Sequence, residues 1–318
     1  MDRSFLHELR LPVIAAPMFL VSNPDLVMTQ CNAGIVGSFP ALNARSQDLL
    51  DSWLTEIETR LILEVDGRVG HGTRQFAVNL VVHPTNARLD ADLETIAAHC
   101  VPIVITSLYA PGRVVKRVHD YGGLVFHDVT TVHHARKAEA AGVDGLILVC
   151  AGAGGHGGTL NPFAFVAEVR RFFRGILILA GAITDGAGVL AAQVLGCDLA
   201  YMGTRFIASE EAGASDLYKA MIVASGSHDV VYSPFFSGVP ANYLKDSIRA
   251  IGLDPDALPV EGAKAAFDKD RTGPKAWRDV WSAGQGVGNI DGVAPISQIV
   301  HKLNREYEAA RQRVQIAA

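Results

Sequence analysis

The sequence of 318 residues predicts an α/β fold, a (β/α)8 TIM barrel with a mostly helical C-terminal extension over the barrel mouth. Eight short apolar runs, rich in β-branched residues, recur along the first two thirds of the chain. Segments with helical patterning lie between most of these runs. The first run is not followed by a Gly-x-Gly-x-x-Gly turn, which an open dinucleotide-binding sheet would carry. Eight strand-helix alternations therefore favour a closed barrel.

The element boundaries can be placed from residue type. The candidate strands are Val13–Met18, Ile35–Pro40, Phe76–Val82, Ile103–Tyr109, Leu124–Thr130, Gly145–Gly152, Ile176–Ala182 and Leu199–Phe206. The candidate helices between them are Pro24–Ala33, Ser46–Leu63, Ala87–Ala98, Arg113–Asp120, Thr131–Ala141, Pro162–Arg171 and Gly186–Leu195. The pairs Asn23-Pro24 and Asn161-Pro162 each predict an N-cap followed by a first-turn proline.

The alternation of strands and helices ends at Phe206. We divide the chain into a barrel core, residues 1–206, and a barrel-closing helix with a helical subdomain, residues 207–318, that contributes to the mouth. The segments expected in the second part are helix Ala214–Ser225, the run Asp229–Phe236, helix Asn242–Ile251, the polar stretch 254–275, the segment Trp277–Asn289 and helix Ile296–Val314. An independent second domain is the alternative, but no Ser/Gly/Pro linker of useful length separates the two parts.

Composition and charge narrow the class of protein. A hydrophobic fraction of 49% and a charged fraction of 19% indicate a globular chain. The net charge of -5, with no basic cluster, gives no reason to expect nucleic acid or an anionic membrane as a partner. The four cysteines lie in apolar segments without a C-x-x-C pair, which favours buried free thiols. We expect a cytoplasmic protein with a small-molecule substrate and no metal site; a homo-oligomer is compatible with the sequence.

The stretch from Leu146 to Gly158 is the strongest candidate for a functional loop. An apolar run, Leu146–Cys150, ends in a glycine-rich segment that contains His156. In a parallel barrel the functional groups collect at the C-terminal ends of the strands. A histidine between two glycines has no packing reason to be there, whereas a general base must lie near its substrate and be partly neutral near pH 7. The alternative is a solvated loop histidine.

Two further strand ends are candidates for a phosphate site. The seventh strand runs into Ala180–Gly186, and the eighth ends in Met202–Phe206. Both ends offer small residues and free backbone N–H groups, and Thr204 adds a hydroxyl, which suits a phosphate held by amides. Taken alone, the glycines could merely turn the chain, but the pair at strands seven and eight favours a phosphate site.

Four other positions combine a strand end or loop with an unusual residue type. Asn79 interrupts an apolar strand, so its amide either bonds neighbouring backbone or reaches the edge of a heteroaromatic ring. Asp128 either caps the next helix or is a pocket carboxylate. The segment Ala15–Met18 either makes a tight turn or lies flat against a planar cofactor. Gln285, among glycines, indicates close approach of backbone to a ligand.

These motifs together resemble those of the nitronate monooxygenase family, formerly called 2-nitropropane dioxygenases. The motifs that carry the resemblance are Ala15–Met18, Val78–Leu80, Ala153–Gly158, Ala180–Gly186, Met202–Phe206 and Ser282–Gly286. The resemblance covers essentially the whole chain and implies an FMN-dependent (β/α)8 oxidoreductase.

The resemblance also implies roles for individual residues. The FMN phosphate would lie on Gly181, Ala182, Gly203 and Thr204, and the isoalloxazine near Ala16, Pro17 and Asn79. The full set of expected cofactor-binding residues is Ala16, Pro17, Met18, Asn79, Asp128, Gly155, Gly181, Ala182, Met202, Gly203, Thr204 and Gln285. His156 would act as the base toward a neutral nitroalkane, or position an alkyl nitronate that the flavin and dioxygen convert to a carbonyl compound and nitrite.

The chain departs from the family pattern in strand six. Many nitronate monooxygenases have a glutamate just before Ala-Gly-Gly-His and a glutamine earlier in the strand, where this chain has Gly152 and Val149 or Cys150. The same superfamily includes FMN-dependent reductases that take electrons from NAD(P)H. Two other functions therefore stay open: an NAD(P)H-dependent flavin reductase acting on a quinone or enoyl thioester, and a barrel that binds a phosphorylated ligand without redox turnover.

Overall fold

The apolar runs of the sequence form β-strands in the computed structural model, which describes residues 4–66, 73–259 and 275–316. The strands are β1 Val13–Ala15, β2 Gly37–Pro40, β3 Phe76–Val81, β4 Ile103–Ser107, β5 Leu124–Val129, β6 Gly145–Val149, β7 Gly155–His156, β8 Ile176–Ala180, β9 Leu199–Met202, β10 Val230–Ser233 and β11 Ala241–Leu244. Eight of them form one parallel sheet in the order β1-β9-β8-β6-β5-β4-β3-β2.

The two edge strands of this sheet meet, so the sheet is a nearly closed barrel. Ile14 of β1 and Val36, just before β2, form a parallel bridge. The Ala15 amide donates to the Val36 carbonyl at 2.8 Å, and the Val36 amide donates to the Val13 carbonyl at 3.0 Å. The TIM barrel predicted from the alternation of strands and helices is confirmed.

Helices surround the barrel and follow most of its strands. They are α1 Pro24–Asn32, α2 Gln47–Asp66, α3 Leu89–Ala98, α4 Gly112–His119, α5 Val132–Ala140, α6 Pro162–Arg170, α7 Gly186–Val194, α8 Thr204–Ile207, α9 Asp216–Ala224, α10 Lys245–Ala250 and α11 Ile296–Ile316. The two predicted N-caps are confirmed. The Asn23 side chain accepts the Leu26 amide at 2.8 Å, and the Asn161 side chain accepts the Phe163 amide at 2.9 Å.

Each barrel strand buries both of its faces, because alternate side chains point into the barrel and toward the helices. The interior cluster is apolar and includes Ile14, Val36, Ala77, Ile103, Ile105, Phe126, Ile147, Ile178 and Leu199. Phe5, from the N-terminal 3-10 helix Ser4–His7, packs into the same cluster. The N-terminal end of the barrel is thereby filled, and the C-terminal strand ends provide the face for a site.

The C-terminal helix α11 packs against α7. The Gly186 amide at the start of α7 donates to Glu306 of α11 at 3.0 Å. A Cβ on Gly186 would lie 2.1 Å from the Leu303 carbonyl oxygen, so glycine is required for this close contact. None of the described helices is both long enough and apolar enough to cross a lipid bilayer.

The expected helix Asn242–Ile251 is wrong in its first part. Residues Ala241–Leu244 are strand β11, and the helix is limited to Lys245–Ala250. Strand β11 lies between β10 and β7, antiparallel to both. One of its two partner strands, β7, lies far earlier in the chain, so local patterning alone does not reveal the sheet. The run Asp229–Phe236 contains β10.

The small β10-β11-β7 sheet joins the two parts of the chain that the sequence separates at residue 206. Strand β7 follows barrel strand β6, and it pairs with β11 from the C-terminal part. The division into residues 1–206 and 207–318 stays a prediction. Of the polar stretch 254–275, residues 260–274 lie outside the described residues. Cys31, Cys150 and Cys197 are buried as expected, but Cys100 is exposed, at a turn after α3.

Candidate active site

A row of polar side chains crosses one side of the barrel mouth. Asn79, Ser107 and Asp128 lie near the C-terminal ends of β3, β4 and β5, in register with the interior-facing residues of those strands. The Asn79 amide nitrogen donates to Ser107 Oγ at 2.8 Å and to the Ile105 carbonyl at 3.2 Å. Ser107 Oγ in turn donates to Asp128 Oδ2. The Asn79 amide therefore bonds neighbouring backbone, and contact of Asn79 with a heteroaromatic ring stays a prediction.

Asp128 is a pocket carboxylate and not a helix cap. The N-cap of α5 is Thr131, whose hydroxyl accepts the His134 amide at 3.2 Å. Asp128 Oδ1 is buried and has no hydrogen-bond partner among the described residues. Burial raises the pKa of this carboxyl to about 6, and the Ser107 hydrogen bond only partly opposes the increase. The mouth thus contains one carboxyl oxygen that is available to form a hydrogen bond with a ligand.

The other side of the mouth is small and apolar. Val149 of β6 and Ala180 of β8 belong to the interior cluster, at the strand ends that follow the polar row around the barrel. Tyr201 of β9 packs against the same cluster, and burial raises its phenol pKa well above the usual value, with the Asp128 charge adding to the rise. A planar ring with one polar and one apolar edge would match this two-sided lining.

The segment after β1 lies beside the end of β9. A Cβ on Gly203 would be 3.5 Å from Ala16 Cβ and 3.7 Å from Met18 Sδ. Ala16, Pro17 and Met18 are half-buried, so part of each remains accessible. The Met202 side chain packs into the core outside the barrel, and its carbonyl accepts the Ala16 amide at 2.8 Å. The Met202 side chain thus lies away from the mouth, and the Met18 side chain also packs against this outer core.

The two candidate phosphate loops are neighbours because β8 and β9 are adjacent strands. Gly181 and Ala182 follow β8 with φ of 141° and 54°. A positive φ at alanine is strained, and such strain concentrates at functional sites. Gly203 and Thr204 follow β9, and Thr204 Oγ1 accepts the Gly284 amide at 2.9 Å. The fold therefore brings together the small residues that the sequence predicts for a phosphate site.

The loop after β6 and the late glycine-rich loop pack backbone to backbone. The Gln285 amide donates to the Gly152 carbonyl at 2.9 Å, and a Cβ on Gly284 would lie 2.7 Å from the same oxygen. The Gly155 amide donates to Ser282 Oγ at 2.7 Å. The close approach that these glycines permit is between the two loops. The Gln285 side-chain oxygen fills the space beside Gly152, 3.0 Å from the position of a Cβ there.

His156 lies in strand β7, next to the mouth, and is half-buried. Its Nε2 is 3.0 Å from Ser237 Oγ, and its ring meets the Trp277 ring edge to face, with centroids 4.9 Å apart. Burial lowers the pKa of the imidazole to about 4, so it is neutral at pH 7. These contacts do not fit a solvated loop histidine.

Several residues around the site were not predicted from the sequence. Ser107 reads as an ordinary strand terminus, and its only signal is its two-residue spacing from the inward-facing Ile105. Ser237 contacts His156 across 81 residues of sequence. Trp277, which packs on the His156 ring, comes even later in the chain. No group of three His, Cys, Asp or Glu side chains among residues 4–66, 73–259 and 275–316 could hold a metal ion.

The barrel gathers polar groups at its C-terminal strand ends, which is the face where (β/α)8 enzymes carry their sites. The family profile for nitronate monooxygenase matches residues 70–306, which is most of the chain, so the chain belongs to the nitronate monooxygenase family and is an oxidoreductase.

Relatives of known name span nearly the whole chain. The chain is 26% identical to the nitronate monooxygenase of Paraburkholderia phytofirmans, over 95% of this chain and 94% of the relative. It is 28% identical to the nitronate monooxygenase of Neurospora crassa, over 96% of this chain and 91% of the relative.

Solved structures show the same fold. FabK from Thermotoga maritima superposes with a TM-score of 0.79 and 24% identity, covering 98% of this chain and 97% of the other. Nitroalkane oxidase from Streptomyces ansochromogenes superposes with a TM-score of 0.76 and 23% identity, covering 98% of this chain and 99% of the other. At these sequence identities, the similarity to the two structures shows a shared fold and nothing more.

Proposed function

We propose that this protein binds FMN and oxidises alkyl nitronates, and neutral nitroalkanes after deprotonation, with dioxygen to a carbonyl compound and nitrite. The observation that carries the proposal is His156, a neutral imidazole held beside the barrel mouth. The family of the chain supports oxidation of nitro compounds at a coarser level.

The residues at the mouth fit a flavin. The unpartnered Asp128 Oδ1 and the Asn79 side-chain oxygen would hold the polar edge of the isoalloxazine, and the apolar side with Ala16 would receive the rest. The adjacent loops at Gly181 and Gly203 would hold the phosphate through backbone amides. A bound flavin would supply the redox chemistry, and the protein would supply orientation and electrostatics.

His156 would carry out the proton transfer for a neutral nitroalkane. The imidazole takes the proton from the carbon that bears the nitro group, a new N–H bond replaces the C–H bond, and the electron pair moves onto the nitro oxygens. The product is a nitronate beside an imidazolium, and the attraction between the two charges stabilises the transfer. A nitronate substrate needs only to be positioned, because it is already deprotonated.

The test is oxygen uptake and nitrite release by the FMN-loaded protein with propionate 3-nitronate. We expect oxygen uptake, and the release of one nitrite for each nitronate consumed. An FMN-loaded sample that takes up no oxygen with any nitronate would contradict the proposal.

The competing function is NAD(P)H-dependent reduction of a quinone or an enoyl thioester. The observation that favours it is the apolar lining, since Val149 and the Trp277 ring beside His156 suit an apolar chain as well as a small nitro compound. NADH consumption that depends on a quinone or enoyl thioester would support this alternative. A colourless preparation that takes up no flavin would instead indicate a barrel that binds a phosphorylated ligand without redox turnover.

A further inference from the structure

Ser237 Oγ is a junction of four polar contacts beside His156. It lies 3.0 Å from His156 Nε2 and 3.3 Å from the Tyr243 hydroxyl. It also lies 2.8 Å from the Val239 carbonyl oxygen and 3.4 Å from the Val239 amide nitrogen. Because a serine hydroxyl has one proton and two lone pairs, these contacts constrain which neighbour donates and which accepts.

The Ser237 proton goes to the Val239 carbonyl. A carbonyl oxygen can only accept, and this contact is the shortest of the four. Ser237 Oγ then has only lone pairs left for its other neighbours. The Tyr243 hydroxyl can donate to one lone pair, and His156 Nε2 must donate to the other, since two acceptors cannot share a hydrogen bond. The longest contact, from the Val239 amide, is the weakest of the set.

The neutral His156 ring therefore carries its proton on Nε2 and its lone pair on Nδ1. The ring cannot readily exchange the two nitrogens, because Trp277 packs edge to face on it and residue 156 is paired to Ala241 across the small sheet. We propose that Ser237 is a positioning residue that fixes this tautomer, so that Nδ1 is the atom that accepts the substrate proton. This inference rests on the proposed function, in which His156 deprotonates a neutral nitroalkane.

The tautomer matters only for the substrate that must lose a proton. With nitroethane, the C–H bond breaks, the N–H bond forms at Nδ1, and the electron pair moves onto the nitro oxygens. If the proton sits on Nδ1 instead, the base points its N–H at the substrate and the transfer stops. With ethyl nitronate no proton is removed, so the identity of the protonated nitrogen has little effect.

Ser237→Ala and Ser237→Thr test this assignment by steady-state kinetics with the two substrates. We expect Ser237→Ala to lower kcat with nitroethane at least about tenfold, which is part of the contribution of a well-placed general base. Turnover of ethyl nitronate should change by less than about twofold, since base catalysis is not required there. Ser237→Thr keeps the hydroxyl and should restore turnover of nitroethane.

The matched control is Ser233→Ala in the same small sheet. Ser233 is buried and its hydroxyl accepts the Phe235 amide at 3.2 Å, so this variant removes a hydroxyl from the same region without changing the contact to His156. Both substrates should be turned over as by the wild type. An equal loss with both substrates in Ser237→Ala, not restored by threonine, would show a purely structural role and overturn the proposal.

Nitrogen-15 NMR of the histidine side chains, on the same FMN-loaded protein, separates this inference from the proposed function. We expect the wild-type His156 signal to be that of the Nε2–H tautomer, and the Ser237→Ala signal to shift toward Nδ1–H. A wild-type Nδ1–H signal would overturn the positioning role. An Nε2–H signal in a protein that turns over no nitro compound would instead overturn the proposed function.

Discussion

The barrel mouth and the small β10-β11-β7 sheet use their polar groups in opposite ways. At the mouth, Asp128 Oδ1 is buried without a partner, while Asn79 and Ser107 form a row that leads to it. In the turn between β10 and β11, Ser237 contacts four polar groups, one of which is His156. The mouth keeps hydrogen-bonding capacity for a ligand, whereas the sheet uses its capacity to hold one side chain. We propose that the mouth serves ligand binding and that the residues around His156 serve proton transfer, so that the two can be disrupted independently.

The largest effect should come from His156→Asn, which removes the base and leaves the mouth unchanged. Turnover of a neutral nitroalkane should fall at least about 100-fold, because general base catalysis contributes on this scale. Turnover of the corresponding nitronate should fall less. Oxygen uptake with each substrate measures both effects. His228→Asn, at a side chain that is 85% exposed, should leave both rates unchanged.

Since an imidazole with a pKa of about 4 is neutral above that pH, kcat/KM for the nitroalkane should decline only as the pH falls toward 4. A decline centred near pH 6.5 would indicate that His156 is not held in this buried environment.

The second-largest effect should come from Gly203→Val, which alters the mouth and leaves the small sheet intact. The added side chain would project toward Ala16 and Met18, where the cofactor is proposed to bind. We expect the FMN dissociation constant to rise at least about tenfold, which corresponds to about 1.4 kcal/mol of binding free energy. Fluorescence titration of the apoprotein measures this constant.

Gly112→Ala is the matched control, because nothing lies within 4 Å of a Cβ there. The thermal midpoint of each apoprotein shows whether it is folded. Unchanged FMN affinity in a folded Gly203→Val protein would place the cofactor elsewhere.

A pH-dependent effect on stability should follow from Asp128→Asn. The folded-state pKa of this carboxyl is raised from 3.8 to about 6, so its stabilising contribution is fully present below pH 3.8 and is lost as the pH rises through 6. In the apoprotein, the wild type should therefore lose more stability than Asp128→Asn between pH 4 and 7. Urea unfolding at several pH values measures the difference, and parallel pH profiles for the two proteins would contradict it.

The smallest effect should come from His99→Gln, which lies outside both regions. Burial lowers the pKa of His99, but its hydrogen bonds to the Asp51 carboxylate at 3.0 Å and the Glu58 carboxylate at 3.1 Å outweigh burial and raise the pKa overall. The resulting stability is present below the ordinary value of 6.5 and is lost as the pH rises through the higher folded-state value. Because Asp51 is 65% exposed, the variant should cost about 1 kcal/mol or less at pH 6, by urea unfolding. Activity should be unchanged.

The barrel could be predicted from the sequence because its signals are local. Strands buried on both faces are continuous apolar runs, and caps such as Asn23 and Asn161 need only the next few residues. The barrel topology also predicts which residues lie at the C-terminal strand ends, among them Asn79, Asp128, Gly181 and Gly203.

The small sheet could not be predicted, because the pairing of β7 with β11 is long-range. Residues Ala241–Leu244 are extended only because β10 and β7 supply their hydrogen bonds. Ser237 reads as a turn residue before a glycine, and its contact with His156 spans 81 residues. For Asp128 the sequence left two alternatives open, and the structure decides between them because Thr131 already caps α5.

Anaerobic mixing of one FMN-loaded sample with a nitronate, and separately with NADH, tests the proposed oxidation most directly. Flavin absorbance reports whether electrons reach the cofactor, before dioxygen is involved. We predict rapid bleaching by propionate 3-nitronate and no rapid bleaching by NADH. Bleaching by NADH, with none by any nitronate, would contradict the account and assign the barrel to a reductase.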